Sequence, residues 1–300
     1  MIKRARELRP YSPVIIIGAP RSGTNMLRDL ICGLPNTATW DCDEINYIWR
    51  YGNRGSTSDA LSTEQVTPGI SAYIQSYFDK LFSQTGAANI VEKTCANSLR
   101  IPFVKKILPD AKFIFIVRDG RDVLCSALKR WTATVEWSYT IRKARHVPIR
   151  DIPFYAVGYL RNRVAQALSK EGVLQTWGPL FEGIDAFRAE HSLEDCVAQQ
   201  WIECVASAVE ALEEIPEQRK LELSYEQVVA CPEEELGKIC QFLNIRCHQT
   251  NLVNARRFVR YPVVPAEPRR FSQMSLSVQQ DMVRTLARLG YPTDLARTAA

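Results

Sequence analysis

The chain has 300 residues, 46% hydrophobic and 24% charged, with 38 Lys and Arg against 33 Asp and Glu for a net charge of +5. That balance excludes wholesale disorder, a collagen-like repeat and a disulfide mini-protein, and it leaves enough apolar material for an ordinary core. The basic excess suits an anionic ligand but is too mild and too scattered for a nucleic-acid binder.

In chain order, the basic start (Lys3, Arg4, Arg6, Arg9) is not followed by the apolar core of a signal peptide. The first apolar stretch, Val14–Ile17, is too short to span a bilayer, so a cytoplasmic chain without a transmembrane segment is expected. Nine cysteines without a Cys-x-x-Cys pair fit that compartment as thiols. Three dispersed histidines (His146, His191, His248) argue against a zinc site, and no metal is expected.

Pro13–Ile17 is a β-branched run of the kind found in strands covered on both faces. The loop Gly18–Thr24 follows, then a helical pattern with Met26, Leu27, Leu30 and Ile31. Ile45–Tyr51 reads as a short helix, and residues 50–70, rich in Gly, Ser, Thr and Asp, read as a loop. A helix over Ile70–Phe82, a strand over Asn89–Lys93 and a helix over Ile101–Leu108, stopped by Pro109, come next. Lys112–Val117 is the clearest strand, with a helix over Asp122–Arg130 behind it. Residues 131–176 read as an insertion with a helix over Tyr155–Ser169. Its aromatics Trp131, Trp137, Phe154, Tyr155 and Tyr159, with the loop at 46–70, are expected to shape an acceptor site. Helical spacing returns over Leu193–Leu212, followed by a strand over Lys220–Ser224 and helices over Glu233–Leu243 and Val278–Leu289, the last ended by Gly290. Alternating strands and helices predict a parallel sheet in one α/β domain.

A strand, a Gly-x-x-x-x-Gly loop (Gly18–Gly23) and a helix make a phosphate cradle, because loop N–H groups and the helix N-terminus face one anion. The Walker pattern needs Lys and then Ser or Thr after the second glycine, but Thr24 and Asn25 stand there, and the cation is instead Arg21, inside the loop. Arg118 follows the strand ending at Val117, at the carboxyl edge where open α/β sheets bind ligands. Ser126 lies two helical turns later and could reach the same anion, while Arg121 with Asp122 reads as a capping pair.

These segments resemble the sulfotransferase family that uses 3′-phosphoadenosine 5′-phosphosulfate (PAPS). Ala19–Thr24 is similar to its 5′-phosphosulfate loop, and Ile116–Ser126 to its 3′-phosphate motif. Glu92-Lys93-Thr94 is similar to its Glu-Lys-Ser/Thr element. Leu223–Val229, Pro232 and Cys240–Leu243 resemble its Tyr-Glu-Asp-Leu strand–helix unit. The pattern is nearest to bacterial carbohydrate- and tyrosyl-type members with a Pro-Arg-Ser-Gly-Thr loop. The resemblance implies a P-loop-like three-layer α/β/α fold with a central parallel sheet, a single domain over 1–300 with helical insertions. Its core would run from about 13 to 245, with 246–300 as a C-terminal extension closing the site.

On that resemblance Pro20, Arg21, Ser22, Gly23, Thr24 and Asn25 would wrap the 5′-phosphosulfate, Arg118 and Ser126 would hold the 3′-phosphate, and Tyr225 would lie near the adenine. PAPS would be the donor and PAP (3′-phosphoadenosine 5′-phosphate) the product. The family's late Arg-Lys-Gly segment is missing; Arg256 with Arg257, or Arg269 with Arg270, could replace it. Arg21 and Lys93 are candidates for the charge that stabilises in-line transfer. Where many cytosolic relatives carry a catalytic histidine, this chain has Cys95, so the base is sought in Asp41-Cys-Asp-Glu44, with Glu44 first and Asp43 second. Glu92 reads instead as a partner of Lys93 or a nearby arginine. The expected acceptor is a hydroxyl on a small molecule, glycan or lipid-linked sugar. The alternatives are a P-loop small-molecule kinase and a non-catalytic nucleotide-binding relative.

Overall fold

The computed structural model describes residues 9–131, 157, 160, 177–259 and 268–294. Three strands form where the sequence carries short β-branched or aromatic runs, β1 (Ser12–Ile17), β3 (Asn89–Lys93) and β4 (Lys112–Val117), and a fourth, β5 (Lys220–Ser224), where two leucines alternate with polar residues; a two-residue edge strand β2 (Thr37–Ala38) lies between β1 and β3 in the chain. All pair in parallel in the order β2-β3-β1-β4-β5. The order runs outward from β1 in both directions, which opens a crevice at the carboxyl ends of β1 and β4.

Alternation along the strands explains the layers. Ile15, Ile17, Phe113 and Phe115 face one apolar cluster with Trp49, Phe78, Phe103 and Leu212. Val14, Ile16, Ile114 and Ile116 face another with Leu27, Leu30, Val228 and Ile239. The helices on these faces are α1 (Thr24–Cys32), α2 (Asn46–Trp49), α3 (Pro68–Thr85), α4 (Ile101–Ile107), α5 (Gly120–Trp131), α6 (Ile184–Glu190), α7 (Leu193–Glu213), α8 (Tyr225–Ala230), α9 (Pro232–Leu243), α10 (Gln249–Phe258), α11 (Pro268–Phe271) and α12 (Leu276–Arg288). Helix α3 starts where the Thr67 side chain accepts from the Ile70 N–H with Pro68 at its first position, and it stops at Gly86. Helix α7 starts on a Ser192–Asp195 capping box. A third cluster joins α5, α7 and α12 through Leu124, Trp131, Trp201, Val205, Met282 and Leu286.

The expected strands and most helices are therefore present. β2, α6, α10 and α11 are additions. The helix expected over Tyr155–Ser169, and Trp137, Phe154, Tyr155 and Tyr159, lie outside the described residues. Trp131 is fully buried and meets Trp177 edge to face, with ring centroids 6.4 Å apart. Among the described residues no helix is long and apolar enough to cross a membrane.

Candidate functional site

The loop after β1 is shaped by close approach. Gly18 lies against β4, where a Cβ would come within 2.7 Å of the Ile116 carbonyl oxygen. Gly23 takes φ +88° at the start of α1, and a Cβ there would stand 2.4 Å from the Tyr225 ring. Arg21 also adopts a left-handed conformation, at φ +70°. Its Nε donates to Ser126 Oγ at 2.9 Å, and its carbonyl accepts from Arg118 Nη1 at 3.2 Å. The two motifs are thus one cluster. The Arg118 guanidinium lies 4.2 Å from the centre of the Tyr225 ring, and Nη2 pairs with Asp122 at 3.4 Å. Arg121 pairs with Asp119 rather than with Asp122, correcting the capping pair expected from sequence, because Asp122 sits one turn beyond Arg118 and faces it.

This cluster is electropositive and incompletely satisfied. Burial, then the guanidiniums of Arg130 and Arg118, push the pKa of Arg21 below the ordinary arginine value. Arg130 escaped the motif reading; its signal was its place one turn beyond Ser126 on α5. Ser22 Oγ and Arg118 Nε are buried without a hydrogen-bond partner, although both residues are at least nine-tenths buried. Buried polar atoms are normally paired, so two orphans beside converging cations mark a place for an anion.

On the other flank of β1, at the end of β3, lies a closed cluster. Glu44 Oε1 accepts from Lys93 Nζ at 3.0 Å and from the Cys95 N–H at 3.3 Å. Burial is the largest single influence on Lys93 and opposes its charge, but Glu44, Cys95 and Asp43 together outweigh it and hold the ammonium above its usual pKa. Burial raises the Cys95 thiol to about 12, so it is no base near neutrality. Asp43 is committed to Arg28 at 3.1 Å and to Asn25 at 3.5 Å. Neither carboxylate caps α2, which begins at Ile45 without a side-chain cap.

Beneath this pair, Glu92 is 1% exposed and accepts from Thr94 Oγ1 at 2.5 Å and Asn97 Nδ2 at 2.8 Å. Thr94 Oγ1 accepts in turn from the N–H of Ile45, next to Glu44. Desolvation lifts the Glu92 carboxyl to about 7. Arg100 is fully buried and bonds Asn97, Asn46 and Asp59, and burial lowers it to about 10. Asp59 also accepts from Arg50 at 2.7 Å and from the Leu180 N–H at 2.9 Å. Of the late arginines, Arg256 pairs with Glu233 and Arg270 with Glu194, Arg257 is exposed, and the Arg269 side chain lies outside the described residues.

Comparison with known proteins follows the same lines. A sequence profile described as the sulfotransferase family matches residues 13–167 and 156–249. A curated protein of Caenorhabditis briggsae named "Putative protein-tyrosine sulfotransferase" is 27% identical over 156 residues, covering 43% of this chain and 52% of that protein. The match therefore spans about half the length of that relative. Among solved structures, the sulfotransferase domain from the curacin biosynthetic pathway has a TM-score of 0.55 at 13% identity, covering 95% of this chain and 99% of that one. A sulfotransferase from Mycobacterium avium has a TM-score of 0.57 at 14% identity, covering 95% and 78%. At such identities the likeness is one of fold.

Proposed function

The chain belongs to the sulfotransferase family, and from that premise we propose that it transfers a sulfuryl group from PAPS to a hydroxyl. The observation that carries the donor assignment is the pair of orphaned buried atoms, Ser22 Oγ and Arg118 Nε, within the Arg21–Arg118–Ser126 cluster. A doubly phosphorylated nucleotide supplies the acceptor oxygens those groups lack.

On this reading Pro20, Ser22, Gly23, Thr24 and Asn25 hold the 5′-phosphosulfate and Arg21 is the cation nearest the sulfate. Arg118 and Ser126 hold the 3′-phosphate, and Tyr225, which backs both Gly23 and Arg118, lies near the adenine. When bound, PAPS supplies an activated sulfuryl group. Glu44 takes the proton of the attacking hydroxyl on its carboxylate, and Lys93, held against Glu44, supplies positive charge beside the reacting atoms. The commitment of Asp43 to Arg28 favours Glu44 as the base. The chemistry asks for no metal from these residues.

The acceptor hydroxyl belongs to a small molecule, a glycan or a lipid-linked sugar, and the name of the Caenorhabditis briggsae relative adds tyrosyl hydroxyls to those worth trying. A cytoplasmic location is part of the proposal, supported by nine cysteines that are all free thiols.

Calorimetric titration with PAP tests the donor assignment. Wild type should bind, and Arg118→Ala should bind at least about a hundredfold more weakly, the scale for removing one partner of a buried charged contact. A wild type that does not bind PAP overturns the assignment. Equal binding by both proteins removes Arg118 from the site.

A further inference from the structure

The chain returns to the donor cluster a second time, from its far end. Helix α12 stops at Gly290, whose φ of +76° turns the backbone so that the Tyr291 N–H reaches the Leu286 carbonyl at 2.9 Å. The segment that follows bonds to Arg121 on α5, beyond β4, and to Glu226 on α8, beyond β5. Tyr291 Oη donates to Glu226 Oε2 at 2.6 Å, an oxygen that also accepts from Ser224 Oγ at 2.8 Å. Glu226 Oε1 accepts from the Asp119 N–H at 3.0 Å. Three residues on, the Asp294 carbonyl accepts from Arg121 Nη1 at 2.6 Å, and the Arg121 N–H and Nε each donate to Asp119 Oδ1 at 2.9 Å.

Arg118 and Asp119 are neighbours in the chain, as are Tyr225 and Glu226. Side-chain stacking joins the first members of the two pairs, and a carboxylate–amide bond joins the second. The first tie meets the guanidinium that carries an unpartnered Nε, and the second holds the backbone of the next residue. We infer that Tyr291–Asp294 is a strap that positions Arg118 for the 3′-phosphate, working through Glu226 on one side and Arg121 with Asp119 on the other. Tyr291 is thus a positioning residue, remote in sequence from every nucleotide motif. The Tyr291 hydroxyl fits the role: burial and the Glu226 carboxylate both raise its pKa, so it keeps the proton it donates.

The inference rests on the PAPS reading for the identity of the anion, and the test separates the two. The affinity of PAP and the inhibition constant of adenosine 5′-phosphate, which lacks the 3′-phosphate, as its competitor are measured on wild type and Tyr291→Phe. The variant keeps the ring that packs against the cluster joining α5, α7 and α12. PAP should bind about fivefold to tenfold more weakly, the scale of one ordinary hydrogen bond, with the constant for adenosine 5′-phosphate unchanged. Glu226→Gln should show the same selective loss, and it serves if Tyr291→Phe does not fold. Unchanged PAP affinity in a variant of a protein that binds PAP overturns the strap and leaves the donor reading standing. Equal weakening of both nucleotides also overturns it, since a general loosening does not discriminate. A wild type that binds neither overturns the donor reading itself.

Discussion

At the carboxyl end of β4, Arg21, Arg118 and Ser126 gather around two buried atoms that no protein group satisfies. On the other flank of β1, at the end of β3, Glu44, Lys93, Glu92, Thr94, Asn97, Arg100 and Asp59 hydrogen-bond to one another and to the backbone. The first arrangement carries surplus positive charge and leaves Ser22 Oγ and Arg118 Nε unmet. The second supplies each charge with an opposite charge or a donor from within. On the proposed reading, binding energy is drawn on the β4 side, while on the β3 side Glu44 as the base and Lys93 as the cation are in place before anything binds, the arrangement that makes electrostatic catalysis effective.

The strongest way to break this division is to alter the closed side and read the open one. Glu44→Gln should lower sulfuryl transfer by about 10²–10⁴-fold, the contribution of a general base, while PAP affinity stays as in wild type. Radiolabelled PAPS with a panel of phenolic and glycosidic hydroxyls reads the first quantity and calorimetry the second. A parallel fall in PAP affinity would mean the clusters are one functional unit.

A smaller effect should come from Gly23→Ala, which forces a Cβ into the Tyr225 ring at a left-handed backbone position. Strain of this kind is worth about 1–3 kcal/mol, to be read as a lowered thermal midpoint together with weaker PAP binding. An alanine variant as stable as wild type would show that the Tyr225 platform can move.

The smallest effect is a slope. The Glu92 carboxyl is raised from 4.5 to about 7 in the folded protein. The stability it contributes is complete below pH about 4.5 and is lost as pH rises through about 7, because the folded state there gives up a proton that it binds more tightly than the unfolded chain does. The thermal midpoint of wild type relative to Glu92→Gln should therefore fall by about a few degrees between pH 5 and pH 8. A constant difference across that range would mean that Thr94 and Asn97 keep Glu92 ionised throughout.

What the sequence disclosed follows from how far each signal reaches. β3, β4 and β5 match their expected bounds: β4 is a strand covered on both faces and written as a continuous apolar run, β3 carries the β-branched pair Ile90 and Val91, and the edge strand β5 alternates Leu221 and Leu223 with polar residues. β2 is two residues long and leaves no pattern, and α10 carries mostly polar residues with only Ala255 buried. In the site, Arg21, Arg118 and Ser126 were legible because each stands at a fixed offset from a strand end. Arg130 had only helical spacing to announce it, Glu226 stood inside the Leu223–Val229 resemblance without a role, and Tyr291 had nothing, since its contact with Glu226 spans 65 residues and exists only once α12 has packed. Asp119 and Asp122 exchanged arginines for a similar reason: which acid meets which base depends on where α5 begins, at Gly120.

The meeting of Trp131 and Trp177 has a practical consequence. Positions 131 and 177, 46 residues apart in sequence, stand side by side, since the two rings meet edge to face. The Asp59–Leu180 bonds pin the returning chain to the loop before α3 just beyond that point. A stretch whose ends share one anchorage can change in length or composition without moving the sheet, because loop closure costs little more as a loop grows. Trp131 and Trp177 are therefore natural splice points, and a chimera carrying the corresponding stretch of another family member between them should keep the thermal midpoint of wild type to within a few degrees, read by calorimetry.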